Sequence, residues 1–292
     1  MSYGNEQQIY LVKTDFHGNI EWEKNYGGAM WEVGYNVIEI NGGGYAVVGF
    51  SNSPGISSGN TDVLLLKLDN SGNQIWMKAY GNKEYPNHEW GYDFVQLDDD
   101  SFIIVGARDR YDYRKKNALI MRVDGEGNIL WEKEIISENY EEISYGIAKS
   151  LDSKYYISMG FNSKNNLIKY KPKILKIDSL GEIIWERRFE SNSREYHQFN
   201  LASTQSGNII LAGTSYNNLS IGKKSDAFLT KIDSNGNIIW TNSYGTADED
   251  DWGWNVVEKN NGEIIMVGST KSYNASLFDI FLIGIDSRGF GN

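Results

Sequence analysis

Cysteine is absent from the 292-residue chain, and proline occurs three times. No thiol means no disulfide framework, no thiolate metal site and no cysteine nucleophile. So little proline argues against a Pro-rich disordered segment. Histidine is almost as scarce: His17 falls in a turn, His88 and His197 lie in non-identical repeats, and no pair has metal-ligand spacing. Lys and Arg number 28 against 39 Asp and Glu, a formal charge of -11. That excludes the basic footprint of a nucleic-acid or anionic-membrane binder. No apolar run approaches the ~20 residues of a membrane helix, and MSYGNEQQIYLVKTD lacks the basic start and apolar stretch of a signal peptide. A soluble chain without a transmembrane segment is the expectation, with a signal or lipid anchor removed beforehand left open. A Gly-x-Ser-x-Gly elbow and a phosphate-cradling loop before a helix are also missing, so hydrolase and nucleotide chemistry lack their usual carriers. No cofactor and no metal are expected.

What the chain has is aromatic residues, at 13%, and glycine, at 31 copies. They recur in register. DFHGNIEW (15–22), DNSGNQIW (69–76), GEGNILW (125–131), DSLGEIIW (178–185) and DSNGNIIW (233–240) are five copies of one phrase. Their tryptophans, Trp22, Trp76, Trp131, Trp185 and Trp240, are 54, 55, 54 and 55 residues apart. A second landmark, as in YAVVGFS and FIIVGAR, places Gly49, Gly106, Gly160, Gly213 and Gly268 at intervals of 57, 54, 53 and 55. Two landmarks with one period define a repeat protein.

Each repeat reads as four β-strands joined by turns rich in glycine and asparagine, and no window has the capped 3.6-residue period of a helix. Four antiparallel strands per repeat are a β-propeller blade. The expected fold is all-β: a single β-propeller domain over residues 1–292, with five four-stranded blades closed by a terminal strand. The strand feeding the Trp turn occurs six times (IYLVKTD, DVLLLKLD, NALIMRVD, PKILKID, DAFLTKID, DIFLIGID), so one copy exceeds the need of five blades. Joining the first and last segments in one sheet would use the surplus and leave no free edge. Six blades, one incomplete or completed by a neighbouring molecule, is the alternative.

The phrase Asp-x-x-Gly-Asn-x-x-Trp, followed by Tyr-Gly-Gly (26–28), Gly-Gly-Tyr (43–45) and Val-Gly (48–49), resembles the repeats of bacterial and archaeal secreted or lipoprotein β-propellers. Its turn and tryptophan are similar to the tryptophan-docking motif of quinoprotein-type propellers, which implies that the Trp packs between neighbouring blades. The resemblance covers the whole chain and implies an extracellular or cell-surface location. The third copy departs from it, with Ile135 where others carry Tyr26, Tyr80 and Tyr244, and the fourth has Phe189. Nothing matches the cofactor or calcium positions of quinoprotein dehydrogenases, so quinone chemistry is not implied.

A residue at the same place in every repeat is first a packing element, and the five hairpin tryptophans are read as inter-blade wedges. The informative segment is the loop entering the strand expected to be innermost. It reads Trp31-Glu32-Val33-Gly34-Tyr35, His88-Glu89-Trp90-Gly91-Tyr92, Glu141-Glu142-Ile143-Ser144-Tyr145, Glu195-Tyr196-His197-Gln198-Phe199 and Asp250-Asp251-Trp252-Gly253-Trp254. Every copy ends in an aromatic, and Glu32, Glu89, Glu142 and Asp251 stand three residues before it. The tryptophans that are not wedges, Trp31, Trp90, Trp252 and Trp254, all fall here. Aromatics beside carboxylates suit sugar, because ring faces pack on C–H surfaces and carboxylates accept from hydroxyls. The candidate ligand-binding set is Trp31, Glu32, Tyr35, Glu89, Trp90, Tyr92, Glu142, Tyr145, Asp251, Trp252 and Trp254, with Trp90 and Trp252 expected to stack on the sugar. The competing and preferred structural reading is that the carboxylates bond their own loops while the aromatics plug the channel. Calcium on Asp248, Glu249, Asp250 and Asp251 lacks the spaced ligands of a known loop.

The expected function is thus a non-catalytic, lectin-like binding propeller recognising a glycan or another extracellular ligand at one mouth of the channel, as a monomer. The alternative is a protein-interaction or structural propeller of a surface assembly. A glycoside hydrolase or lyase using two of Glu32, Glu89, Glu142 and Asp251 is disfavoured, because near-identical repeats do little to separate two carboxylate pKa values.

Overall fold

The computed structural model describes residues 7–58, 60–81, 87–109, 116–138, 140–163, 171–189, 194–217, 224–246, 248–272 and 277–291, with the side chains of 163, 194–199 and 217 outside that description. Among the described residues every regular element is a strand, and the fold is that of a five-bladed β-propeller. The chain divides into two compact units, Met1–Ile136 and Ser137–Asn292.

In the first unit, β1 (Ile9–Thr14) and β2 (Ile20–Tyr26) form a two-stranded sheet. It is followed by the blade β3 (Glu32–Glu39), β4 (Tyr45–Ser51), β5 (Asp62–Leu68), β6 (Gln74–Tyr80) and the blade β7 (His88–Gln96), β8 (Phe102–Asp109), β9 (Lys116–Val123), β10 (Ile129–Ile135). The second unit holds β11 (Tyr140–Lys149), β12 (Tyr155–Ser163), β13 (Lys171–Ile177), β14 (Ile183–Arg188), then β15 (Arg194–Ser203), β16 (Ile209–Asn217), β17 (Ser225–Ile232), β18 (Ile238–Tyr244). Its last sheet has three strands, β19 (Asp251–Glu258), β20 (Ile264–Thr270) and β21 (Asp279–Ile285). All pairings are antiparallel in chain order. The six copies of the feeding strand are therefore β1, β5, β9, β13, β17 and β21, with the first and last in separate sheets.

The middle strands of a blade are covered on both faces, which is why they read as unbroken apolar runs rather than alternating ones. Val47, Val48, Leu64, Leu65 and Leu66 are all buried. The core lies between successive sheets: Val48, Val63 and Leu65 of one blade pack with Phe94, Phe102 and Met121 of the next, and Leu229 and Ala212 with Val256 and Met266.

The recurring phrase is a self-contained turn. Asp69 Oδ1 accepts the N–H groups of Ser71 (2.8 Å) and Asn73 (2.7 Å), and Asn73 Nδ2 donates back to Asp69 Oδ2 (2.8 Å). The same backbone clasp forms at Asp15, Asp124, Asp178, Asp233 and Asp286. The fourth residue must turn with positive φ, +73° at Gly72, which only glycine adopts cheaply. Hydrogen bonds to the charged form, chiefly from the asparagine, hold Asp15, Asp69 and Asp233 below the usual carboxylate range.

This glycine is also where the wedge lands. A Cβ on Gly72 would stand 3.1 Å from Trp22, one on Gly127 3.1 Å from Trp76, and one on Gly289 3.1 Å from Trp240. In three repeats a tyrosine four residues after the Trp completes the link: Tyr26, Tyr80 and Tyr244 hydroxyls donate to the carbonyls of Gly72 (2.6 Å), Gly127 (3.0 Å) and Gly289 (2.9 Å). Trp and Tyr of one repeat thus grip the turn of the following one.

Candidate functional site

The segment singled out in the sequence opens the leading strand of each sheet, and there the ladder carries one irregularity five times. Register shifts lie between Gly34 and Asn36, Gly91 and Asp93, Ser144 and Gly146, His197 and Asn200, and Gly253 and Asn255. Tyr35, Tyr92, Tyr145 and Trp254 are therefore bulge residues, re-aimed by the extra residue in their strand. The bulge explains the Val-Gly landmark. It presses a carbonyl onto the next strand, so that a Cβ on Gly49 would lie 1.7 Å from Val33 O, one on Gly106 1.8 Å from Trp90 O, and one on Gly268 2.0 Å from Trp252 O. Only glycine fits.

Each of the four carboxylates turns into its own blade and is buried. Glu32 Oε2 accepts from Gly28 N (2.9 Å) and Oε1 from the Ser51 hydroxyl (2.7 Å). Asp251 Oδ2 accepts from Thr246 N (3.1 Å) and Ser272 Oγ (2.7 Å), and Oδ1 from Thr270 Oγ1. Glu142 Oε2 is 2.7 Å from the buried Lys173 ammonium. Glu89 Oε1 accepts from Arg108 Nε (2.8 Å), and that guanidinium is shared with Glu132 (2.6 Å) and Glu134 (2.7 Å). Glu89 Oε2 is buried without a hydrogen-bond partner. Burial pushes its pKa up to about 7, against the opposing pull of Arg108. Burial also raises the neighbouring Asp62, against two hydrogen bonds from Ser58.

These sockets account for the Tyr-Gly motif. A Cβ on Gly27 would meet Glu32 Oε2 at 2.3 Å, one on Gly245 would meet Asp251 Oδ2 at 2.3 Å, and one on Gly81 would meet Asp62 Oδ1 at 2.1 Å. The glycine is the gap through which a carboxylate reaches its donors.

The aromatics point differently. In the first unit Trp31 and Tyr35 are each 50% exposed, and the Tyr35 ring meets Tyr92 edge-on at 5.2 Å. Trp90 is half-buried, with Lys116 Nζ 4.7 Å over its ring and His88 stacked at 5.9 Å. In the second unit Trp254 is 40% exposed and donates to Ser269 Oγ (3.0 Å). Trp252 packs on Phe278 (4.3 Å) and donates to Ser225 Oγ (2.8 Å). Tyr145 is half-buried, and burial raises its phenol above the ordinary value. The faces left open are thus those of Trp31, Tyr35 and Trp254 rather than of Trp90 and Trp252. The side chains of Glu195, Tyr196, His197, Gln198 and Phe199 lie outside the described residues.

The acidic run 248–251 divides: Asp250 accepts from Ser225 N and Oγ (both 3.0 Å) while Asp251 faces its own socket. Among the described residues no three His, Asp or Glu are grouped to hold a metal ion. Two features escaped the sequence reading. Arg108 and Lys173 hold the carboxylates from other strands, and a groove of about 480 Å³ opens between β1 and β3, lined by Ile9, Leu11, Val33, Tyr35 and Val47. The surplus feeding strand was its one sequence signal.

No protein-family model matches the chain, and no curated protein matches it. Among solved structures it is similar to a protein of unknown function from Dyadobacter fermentans, with TM-score 0.59 and 8% identity over 88% of this chain and 79% of that one. It is also similar to an alpha-L-arabinofuranosidase from Fusarium graminearum in complex with an iminosugar inhibitor, with TM-score 0.54 and 10% identity over 84% and 79%. At such identities the likeness is one of fold.

Proposed function

We propose that this propeller is a non-catalytic binding protein that takes up a glycan on the aromatic faces beside the bulges, with Trp31 and Tyr35 as the platform in the first unit. The observation that carries the reading is the division of labour within five residues: Glu32 is buried and bonded, while Trp31 and Tyr35 stand half in solvent. A glycoside hydrolase needs two carboxylates facing the scissile bond. Here Glu32, Glu142 and Asp251 are spent on internal donors. What remains for a ligand is flat ring surface with amide groups nearby, Asn52 accepting from Trp31 N and Asn36 beside Tyr35. Such surface packs on the C–H faces of a pyranose or furanose. The resemblance to secreted and lipoprotein propellers suits an extracellular sugar.

The test is a glycan array followed by titration of the best binder against intrinsic fluorescence. Trp31→Ala and Tyr35→Ala are each expected to weaken binding roughly tenfold, about 1.4 kcal/mol, with thermal stability nearly unchanged. An array without binders, or unaltered affinity in both variants, refutes the reading; hydrolysis of the bound glycan would refute its non-catalytic part.

A further inference from the structure

The grip of one repeat on the next has a gap in the second unit. Where β17 and β18 meet the turn after β21 the grip is complete. Lys231 Nζ and Trp240 Nε1 both donate to Ser287 O (3.3 Å each), and Asn242 Nδ2 and the Tyr244 hydroxyl donate to Gly289 O (2.7 and 2.9 Å). One repeat earlier each of these residues is replaced or re-aimed. Phe189 stands in the place of Tyr244 and has no hydroxyl, and Arg187 stands in the place of Asn242. A Cβ on Gly236 would meet Arg187 Cγ, at 2.5 Å, rather than the ring of Trp185. Lys176, the counterpart of Lys231, turns back to Asp152 Oδ2 (2.8 Å) on the β11–β12 turn of its own blade.

The space left behind is a pocket of about 540 Å³ between the sheets β11–β14 and β15–β18. It is walled by the β11–β12, β15–β16 and β17–β18 turns, and so lies at the end of β11 away from Glu142. The recurring turn contributes Ser234 and Asn235, the β15–β16 turn contributes Ser206 and Asn208, and the strands contribute Trp185 and Lys176. The Trp185 indole N–H and the side chains of Ser234 and Asn235 bond to no described residue, whereas the equivalent Trp240 N–H is taken up by Ser287. The charged residues of the lining, Lys176 and Asp152, are paired with each other.

We propose that this pocket binds one neutral sugar unit. A sugar hydroxyl both donates and accepts. It meets here serine hydroxyls and asparagine amides that do the same, together with an indole N–H that only donates. The indole ring supplies the surface for a C–H face of the sugar. A volume of this size is that of a small-ligand pocket. The Lys176–Asp152 pair leaves the lining without net charge, so nothing draws in a phosphate or a uronate in preference to a neutral hexose. The ligand class is the one assigned to the platform at Trp31 and Tyr35, but the two sites share no residue and this one does not rest on the other.

Calorimetric titration of the Trp31→Ala/Tyr35→Ala protein reads this pocket without the platform. The probes are glucose, galactose and mannose, each as the free sugar and as the methyl glycoside, with glucuronate and inorganic phosphate as charged counterparts. At least one neutral sugar is expected to bind saturably. Preference for the glycoside marks a unit at the end of a glycan, and preference for the reducing sugar marks a free hexose. Trp185→Ala in that background is expected to weaken binding roughly tenfold. Because Trp185 also packs against the core, Ser234→Phe is the second variant. It fills the pocket from an exposed turn position at which the first copy of the phrase already carries Phe16, and is expected to abolish binding with an unchanged melting temperature. No neutral sugar bound, binding of glucuronate or phosphate alone, or affinity unaltered in both variants overturns the proposal. Wild-type binding that Trp31→Ala and Tyr35→Ala remove completely overturns it as well, while leaving the platform intact.

Discussion

The sockets of Glu89 and Asp251 occupy the same place in two leading strands, yet they are built from opposite chemistries. Asp251 is surrounded by neutral donors, Thr246 N, Thr270 Oγ1 and Ser272 Oγ, which satisfy both of its oxygens. Glu89 has one oxygen on Arg108 and the other without a partner, and it shares the cation with Glu132 and Glu134. What recurs across repeats is therefore a place for a carboxylate rather than a particular partner. A socket of hydroxyls and amides solvates the charge locally, whereas a socket built on one guanidinium ties three carboxylates to a single residue.

The largest expected effect follows from that dependence. Arg108→Met leaves buried Glu89 without its cation, and loss of about 3–5 kcal/mol in chemical denaturation is expected. Adding Glu89→Gln should restore part of it, because the uncompensated charge goes. A loss confined to a few tenths of a kcal/mol would mean that Arg108 is not the keystone of that socket. Next in size is the glycine beside Asp251. Gly245 has φ +145° and no room for a Cβ, so Gly245→Ala should cost about 1–3 kcal/mol by displacing the carboxylate from its donors. An unshifted melting temperature would refute the steric account of the Tyr-Gly motif. The last effect separates the sockets by pH. Burial holds the Glu89 pKa at about 7, above its ordinary 4.5, so between those values the folded chain keeps a proton that the unfolded chain has lost. The stability this gives is complete below about pH 4.5 and is lost as pH rises through 7. Glu89→Gln carries no such charge, so its stability relative to wild type should rise steadily from about pH 5 to about pH 8. A flat difference would place Glu89 in the ordinary carboxylate range.

The blade repeat was legible because its causes are local. Asp69, Gly72 and Asn73 close their turn within five residues, and Trp76 takes its place from that turn. The sockets were legible only by half. The sequence marks Glu32, Glu89, Glu142 and Asp251 as a set, but Arg108 is 19 residues from Glu89 and Lys173 is 31 from Glu142, and neither recurs. Pairings across strands follow register, and register is where the bulges intervene. Exposure of the tryptophans was equally hidden, because it follows from neighbours on other segments: Lys116 lies over Trp90 and Phe278 against Trp252, while Trp254, itself a bulge residue, is 40% exposed.

The grip of Tyr26, Tyr80 and Tyr244 on the turn one repeat ahead has a further consequence for synthesis on the ribosome. These bonds span 46, 47 and 45 residues. In these three repeats the outer strand can therefore be locked once a single further repeat has emerged, without waiting for the distant end of the chain. Assembly of this kind runs in one direction and keeps the stretch of unpaired nascent strand to about one repeat, limiting the exposed edges from which multi-strand proteins aggregate.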